Sequence, residues 1–90
     1  MRQMFRYVVP LDDQPHEFTL TGDPVSVAAI LADRGAAYVE FWAEHDDAAG
    51  VTDRAFQVFG TGHPLPPAAR WAGTCDRVDG LVFHLFEVAT

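Results

Sequence analysis

Ninety residues, 49% hydrophobic and 21% charged, point to one domain around one core and to a globular rather than a disordered chain. The formal net charge of −7, with Arg as the sole strong cation type and no Lys, disfavours nucleic acid as a partner and leaves solubility as the plain role of the charge. The one cysteine, Cys75, excludes an internal disulfide and a zinc site built on a cysteine pair.

No apolar run approaches the roughly 20 residues that a membrane-spanning helix needs. Residues 1–10 carry neither an apolar leader core nor a small-residue cleavage site, so a cytoplasmic location is expected. So short a chain is marginal alone, which favours a homo-oligomer or a protein partner.

Short apolar runs rich in Val, Phe, Tyr and Trp alternate with Gly, Pro and Asp clusters, the pattern of an all-β chain. Residues 3–9 form the first expected strand, stopped by Pro10 and the following Asp-Asp-Gln-Pro. Residues 16–21 alternate, with His16, Phe18 and Leu20 on one face. Residues 36–45 alternate as well. Val39, Phe41 and Ala43 line one face, and Tyr38, Glu40, Trp42 and Glu44 line a half-solvated one. Residues 54–59 make another strand, and residues 70–76 a weaker one leading to a hairpin turn at Asp79-Gly80. Residues 81–88 are the strongest strand, apolar on both faces except at His84 and Glu87.

Residues 23–35 read two ways. Asp23 suits a helix N-cap, Pro24 the first helical position and Gly35 the residue past a helix end. As a strand, Val25, Val27, Ala29 and Leu31 share a face. The expected fold is a single mainly-β domain over residues 1–90, a small antiparallel sandwich or open barrel of about six or seven strands. The alternative is α+β, with one helix at 24–34. The expected core includes Phe5, Phe18, Leu20, Val39, Phe41, Phe56, Val58, Val82 and Phe86.

Phe59-Gly60-Thr61-Gly62-His63-Pro64-Leu65-Pro66-Pro67 is the stretch that neither core nor surface patterning explains. Each glycine permits backbone conformations closed to other residues, and such a loop can present N–H groups to an anion. The third glycine, the Lys and the helix of a nucleotide-binding loop are absent, and a rigid strand exit is the competing reading. Gly60, Thr61, Gly62, His63, Thr74 and His84 are the candidate ligand- or partner-binding residues. Tyr38 and Trp42, flanked by glutamates, are the candidate interface residues. The four histidines lack metal-ligand spacing, so neither metal nor cofactor is expected. Cys75 reads as a small buried hydrophobe.

The order of these motifs resembles a family of small proteins of unknown function common in bacteriophage and prophage genomes. The resemblance covers nearly the whole chain. Its specific parts are the Gly60–Pro64 loop and the closing Val82-Phe83-His84-Leu85-Phe86-Glu87. It implies a strand over 25–33 and an accessory role in the host cytoplasm. The family pattern often has an aromatic near position 40, where this chain has Glu40.

Three functions follow as expectations. The first is a non-enzymatic module that binds a host or phage protein. The second is a small-ligand binder or sequestering protein using the Gly60–Pro64 loop. The third is a hydrolase using His63 and His84, for which no nucleophile–base–orienter set is visible.

Overall fold

In the computed structural model, which describes residues 1–31, 37–75 and 80–89, every regular element is a strand. They are β1 (Arg2–Pro10), β2 (His16–Leu20), β3 (Pro24–Leu31), β4 (Ala37–Asp46), β5 (Thr52–Gly60), β6 (Arg70–Thr74) and β7 (Phe83–Val88). The strands form two sheets, ordered β1-β4-β3 and β2-β5-β7-β6, with every pairing antiparallel. The sheets face each other as a sandwich and do not close into a barrel.

The core lies where the inward faces meet. Val9, Val39, Phe41 and Ala43 come from the three-stranded sheet, and Leu20, Phe56, Val58 and Leu85 from the four-stranded one; Cys75, just past β6, completes it. Phe41 stacks on Tyr7 with ring centroids 5.0 Å apart and meets the edge of Phe18 at 5.4 Å. Such rings bring large apolar area to the core of so short a chain.

Residues 24–31 are strand, not helix, so the local helix signals lose. Pairing with β4 satisfies the backbone groups on that side of the segment while Val27 and Ala29 pack on the core. Asp23, the would-be cap, instead takes Arg54 at 2.8 Å. The rest of the 24–34 segment lies outside the described residues, as do Asp76 and Asp79. Gly80 has φ +78, the conformation that the expected hairpin turn asked of it.

Three expected core positions are corrected. Phe5 stays 38% exposed, stacked on His45 at the sandwich margin. Val82 precedes β7 and is half-buried, so the expected strand start at 81 comes two residues early. Phe86 lies on the outer face, edge-on to Phe59 at 5.7 Å. A strand apolar on both faces does not reveal its parity, and Leu85 rather than Phe86 points inward. Glu40 is also drier than its half-solvated face suggested. It is 4% exposed and paired with Arg6 at 2.7 Å.

Candidate recognition site on the four-stranded sheet

β5 ends in a four-residue turn in which His63 N–H donates to the Gly60 carbonyl at 3.1 Å. Gly62, the third residue of that turn, has φ +87, which a side-chain-bearing residue adopts only under strain. The His63 imidazole folds back over Gly60, so a Cβ there would lie 2.9 Å from Cε1. The two glycines thus do separate jobs: Gly62 turns the chain, and Gly60 makes room for His63.

On the other side of β7, β6 contains a bulge. Trp71 pairs with Phe86 and Gly73 with Leu85, leaving Ala72 as the extra residue. In a regular strand, residues 71 and 74 point to opposite faces. The bulge puts both Trp71 and Thr74 on the outer face, beside Phe86 and His84. Gly73 sits against β3 in the other sheet, where an added Cβ would lie 2.3 Å from Val27 Cγ2.

The result is a chain of four polar groups. Trp71 Nε1–H donates to Thr74 Oγ1 at 2.9 Å, Thr74 Oγ1 meets His84 Nδ1 at 3.0 Å, and His84 Nε2 meets Thr61 Oγ1 at 2.8 Å. The indole can only donate, which fixes one end. With Thr74 donating to Nδ1, the Nε2–H of His84 donates to Thr61. In that tautomer the chain does not use the Thr61 hydroxyl hydrogen. Thr74 and His84 each give and receive once, and such head-to-tail chains reinforce themselves.

A cleft of about 200 Å³ opens beside this chain, walled by the 60–63 turn, Leu65 and His84, with Phe59 and Phe86 beneath. A second cleft of about 360 Å³ lies on the other side of the turn, between Thr61 and His63 and residues 80–83. All six residues expected from sequence to bind meet here: five of them touch one or both clefts, and Thr74 holds His84 from behind. Sequence reasoning missed Trp71, Phe59, Leu65 and Phe86. The i, i+2 spacing of His84 and Phe86 was a signal for the last; the bulge that recruits Trp71 has no local signature.

Tyr38 and Trp42 do not join this site. They lie half-buried on the outer face of the three-stranded sheet, on the far side of the sandwich, with Trp42 opposite Arg6 and Ser26. Cys75 is in the core, on the inner side of the four-stranded sheet.

The open end of the sandwich holds a third feature. Arg54 donates twice to Glu87, each bond 2.8 Å, reaches Asp23 at 2.8 Å and lies 5.6 Å from the Phe56 ring centre. Arg70 adds a 2.7 Å bond to Glu87. Hydrogen bonds from Arg54, and then from Arg70, hold the Glu87 carboxyl below the usual carboxylate range despite its burial. Hydrogen bonds to Glu87, and then to Asp23, push Arg54 above its already high value. These charges satisfy one another and brace the sandwich end.

Among the described residues, no group of three or more His, Cys, Asp or Glu is placed to hold a metal ion. No helix among them is long and apolar enough to cross a membrane. The whole chain, residues 1–90, matches a family described as a domain of unknown function, DUF7352. The chain belongs to that family. No curated protein and no solved structure matches it. Within the family description, then, the geometry around His84 is what speaks to function.

Proposed function

We propose that the chain is a non-enzymatic protein-interaction module whose docking surface is the outer face of the four-stranded sheet around Thr61, Trp71 and His84. The observation that carries this is the hydrogen-bond chain from Trp71 through Thr74 and His84 to Thr61, which runs to the mouth of an aromatic-floored cleft. The size of this cleft favours a partner over a metabolite. A cleft of about 200 Å³ is below the roughly 300–1,000 Å³ that takes a drug-sized molecule, and it suits one side chain from a partner. Trp71, 65% exposed beside it, supplies the aromatic anchor that protein interfaces favour. The Thr61 hydroxyl hydrogen that the chain does not use fits a partner side chain with an acceptor, such as an amide or a carboxylate.

This moves the interaction surface away from Tyr38 and Trp42, whose outer face shows no such convergence of polar groups on a cleft among the described residues. The phage or prophage accessory role is part of the proposal and rests on the sequence resemblance alone. A small-ligand reading has one observation in its favour: the neighbouring cleft of about 360 Å³ shares Gly60, Thr61 and His63 and lies within the metabolite range. The hydrolase reading weakens, because Thr74 occupies the His84 nitrogen that a carboxylate would use to orient a catalytic base.

The test is native mass spectrometry of the protein purified gently from its own host, beside Thr61→Val and Trp71→Ala. A stoichiometric protein partner retained by the wild type and lost by both variants supports the reading. A retained small molecule favours the second reading, and retention unchanged in both variants overturns the site.

A further inference from the structure

We propose that β1 is a self-association edge: two copies pair β1 to β1, antiparallel, and join their three-stranded sheets into one six-stranded sheet. This goes beyond the recognition surface above and uses a different part of the molecule.

A sheet edge exposes unpaired N–H and C=O groups, and soluble proteins blunt such edges by shortness, proline, bulges or charge. Among the described residues, three of the four sheet edges are blunted. β2 and β6 are five residues each, β6 is bulged at Trp71/Gly73, and β3 begins with Pro24 and a register shift before Ser26. β1 differs. It is nine residues long and runs without a register shift from Arg2↔Asp46 to Pro10↔Tyr38. Among the described residues its only sheet partner is β4.

The side chains agree. Met4, Phe5 and Val8 of β1 and the adjoining Met1 are exposed by 56%, 38%, 40% and 78%. They make up almost half of the large exposed apolar side chains among the described residues, gathered on one strand. The occupant follows from charge. The chain carries −7, so two copies repel on most faces. Along β1 each cation is already neutralised within the chain: the N-terminus by Asp47, Arg2 by Glu44 and Arg6 by Glu40. On this edge a second acidic copy therefore meets little repulsion.

The register follows too. Directly opposed residues must share a face, so a two-fold axis passes through a residue position. An axis at Met4 sets Arg2 against Arg6, and an axis at Arg6 sets it against its own copy. An axis at Phe5 opposes Phe5 to Phe5, Met4 to Arg6 and Arg2 to Val8, with no like charges facing.

Sedimentation velocity over about a hundredfold range of concentration tests this. The wild type is expected to dimerise. Met4→Lys and Val8→Lys, facing Arg6 and Arg2 of the second copy and entering the interface twice, should each weaken the dimer about tenfold or more. Met4→Glu, facing Arg6, should keep it, as should the control Val25→Lys on β3. Circular dichroism confirms that each exposed-site variant is folded. A wild type that stays monomeric throughout, or a dimer unaffected by Met4→Lys and Val8→Lys, overturns the proposal.

Discussion

Substituting Gly73 by Ala probes the seam on which the recognition site depends. The new Cβ would lie 2.3 Å from Val27 Cγ2 and 3.0 Å from Val27 Cβ. Ordinary carbon contacts begin near 3.5 Å, so the overlap with Cγ2 exceeds 1 Å by roughly that standard. Rotating Val27 moves Cγ2 but not Cβ, so β6 and β3 must also separate. Overpacking of this kind costs about 1–3 kcal/mol, and reduced freedom of the unfolded chain offsets up to about 1 kcal/mol. A net loss of about 1–2 kcal/mol is expected, lowering Tm by about 5–15 °C at this chain length.

The assay is a double-mutant cycle with Val27→Ala, followed by urea unfolding. In the Val27→Ala background the cost of Gly73→Ala should fall well below about 1 kcal/mol. Thr74 follows Gly73 directly, so Gly73→Ala should also disturb the imidazole resonances of His84. An equal cost in both backgrounds would refute the steric account, and an unchanged His84 would refute the link from seam to site.

Glu87→Gln should destabilise by about 1.5–3 kcal/mol at neutral pH, because it removes charged bonds from the half-buried Arg54. The carboxyl of Glu87 titrates lower in the fold than in the unfolded chain, so its contribution is present above the unfolded value near 4.3 and disappears as pH falls below it. Urea unfolding should therefore show wild type and Glu87→Gln converging as the pH falls below that unfolded value; a constant gap would count against this linkage. On the other sheet, Arg6→Ala should cost about 1–3 kcal/mol by leaving the Glu40 carboxylate buried and unpaired. Glu40→Leu should cost less, since the 58% exposed Arg6 side chain rehydrates. The reverse order in thermal melts would contradict the burial argument.

Period-two alternation made the sandwich legible where one face is apolar and the other polar. Phe18, Leu20, Val39 and Phe41 fall where alternation places them, and β4 starts and ends within a residue of expectation. It failed on β7, because Phe83, Leu85 and Phe86 are all apolar and parity carries no signal. Residues 24–31 were ambiguous for a different reason. Asp23, Pro24 and the alternating valines satisfy helix and strand chemistry equally, and only the neighbouring β4 decides. The site was half legible. The glycines and prolines around His63 marked the turn, and His84 stood out as the polar residue in an apolar strand. Their meeting depends on the β5–β7 register and on a bulge in β6, both long-range properties. Trp71 joins through that bulge, so its role was invisible along the chain.

The most direct test of the recognition site is a two-dimensional amide NMR titration with acetamide and with acetate as minimal acceptor-bearing probes. The account predicts saturable shifts at Thr61, Gly62, His63, Leu65 and His84 that vanish in Thr61→Val while the fold persists. Shifts confined to the Tyr38 and Trp42 face, or shifts around His84 that Thr61→Val leaves unchanged, would contradict it.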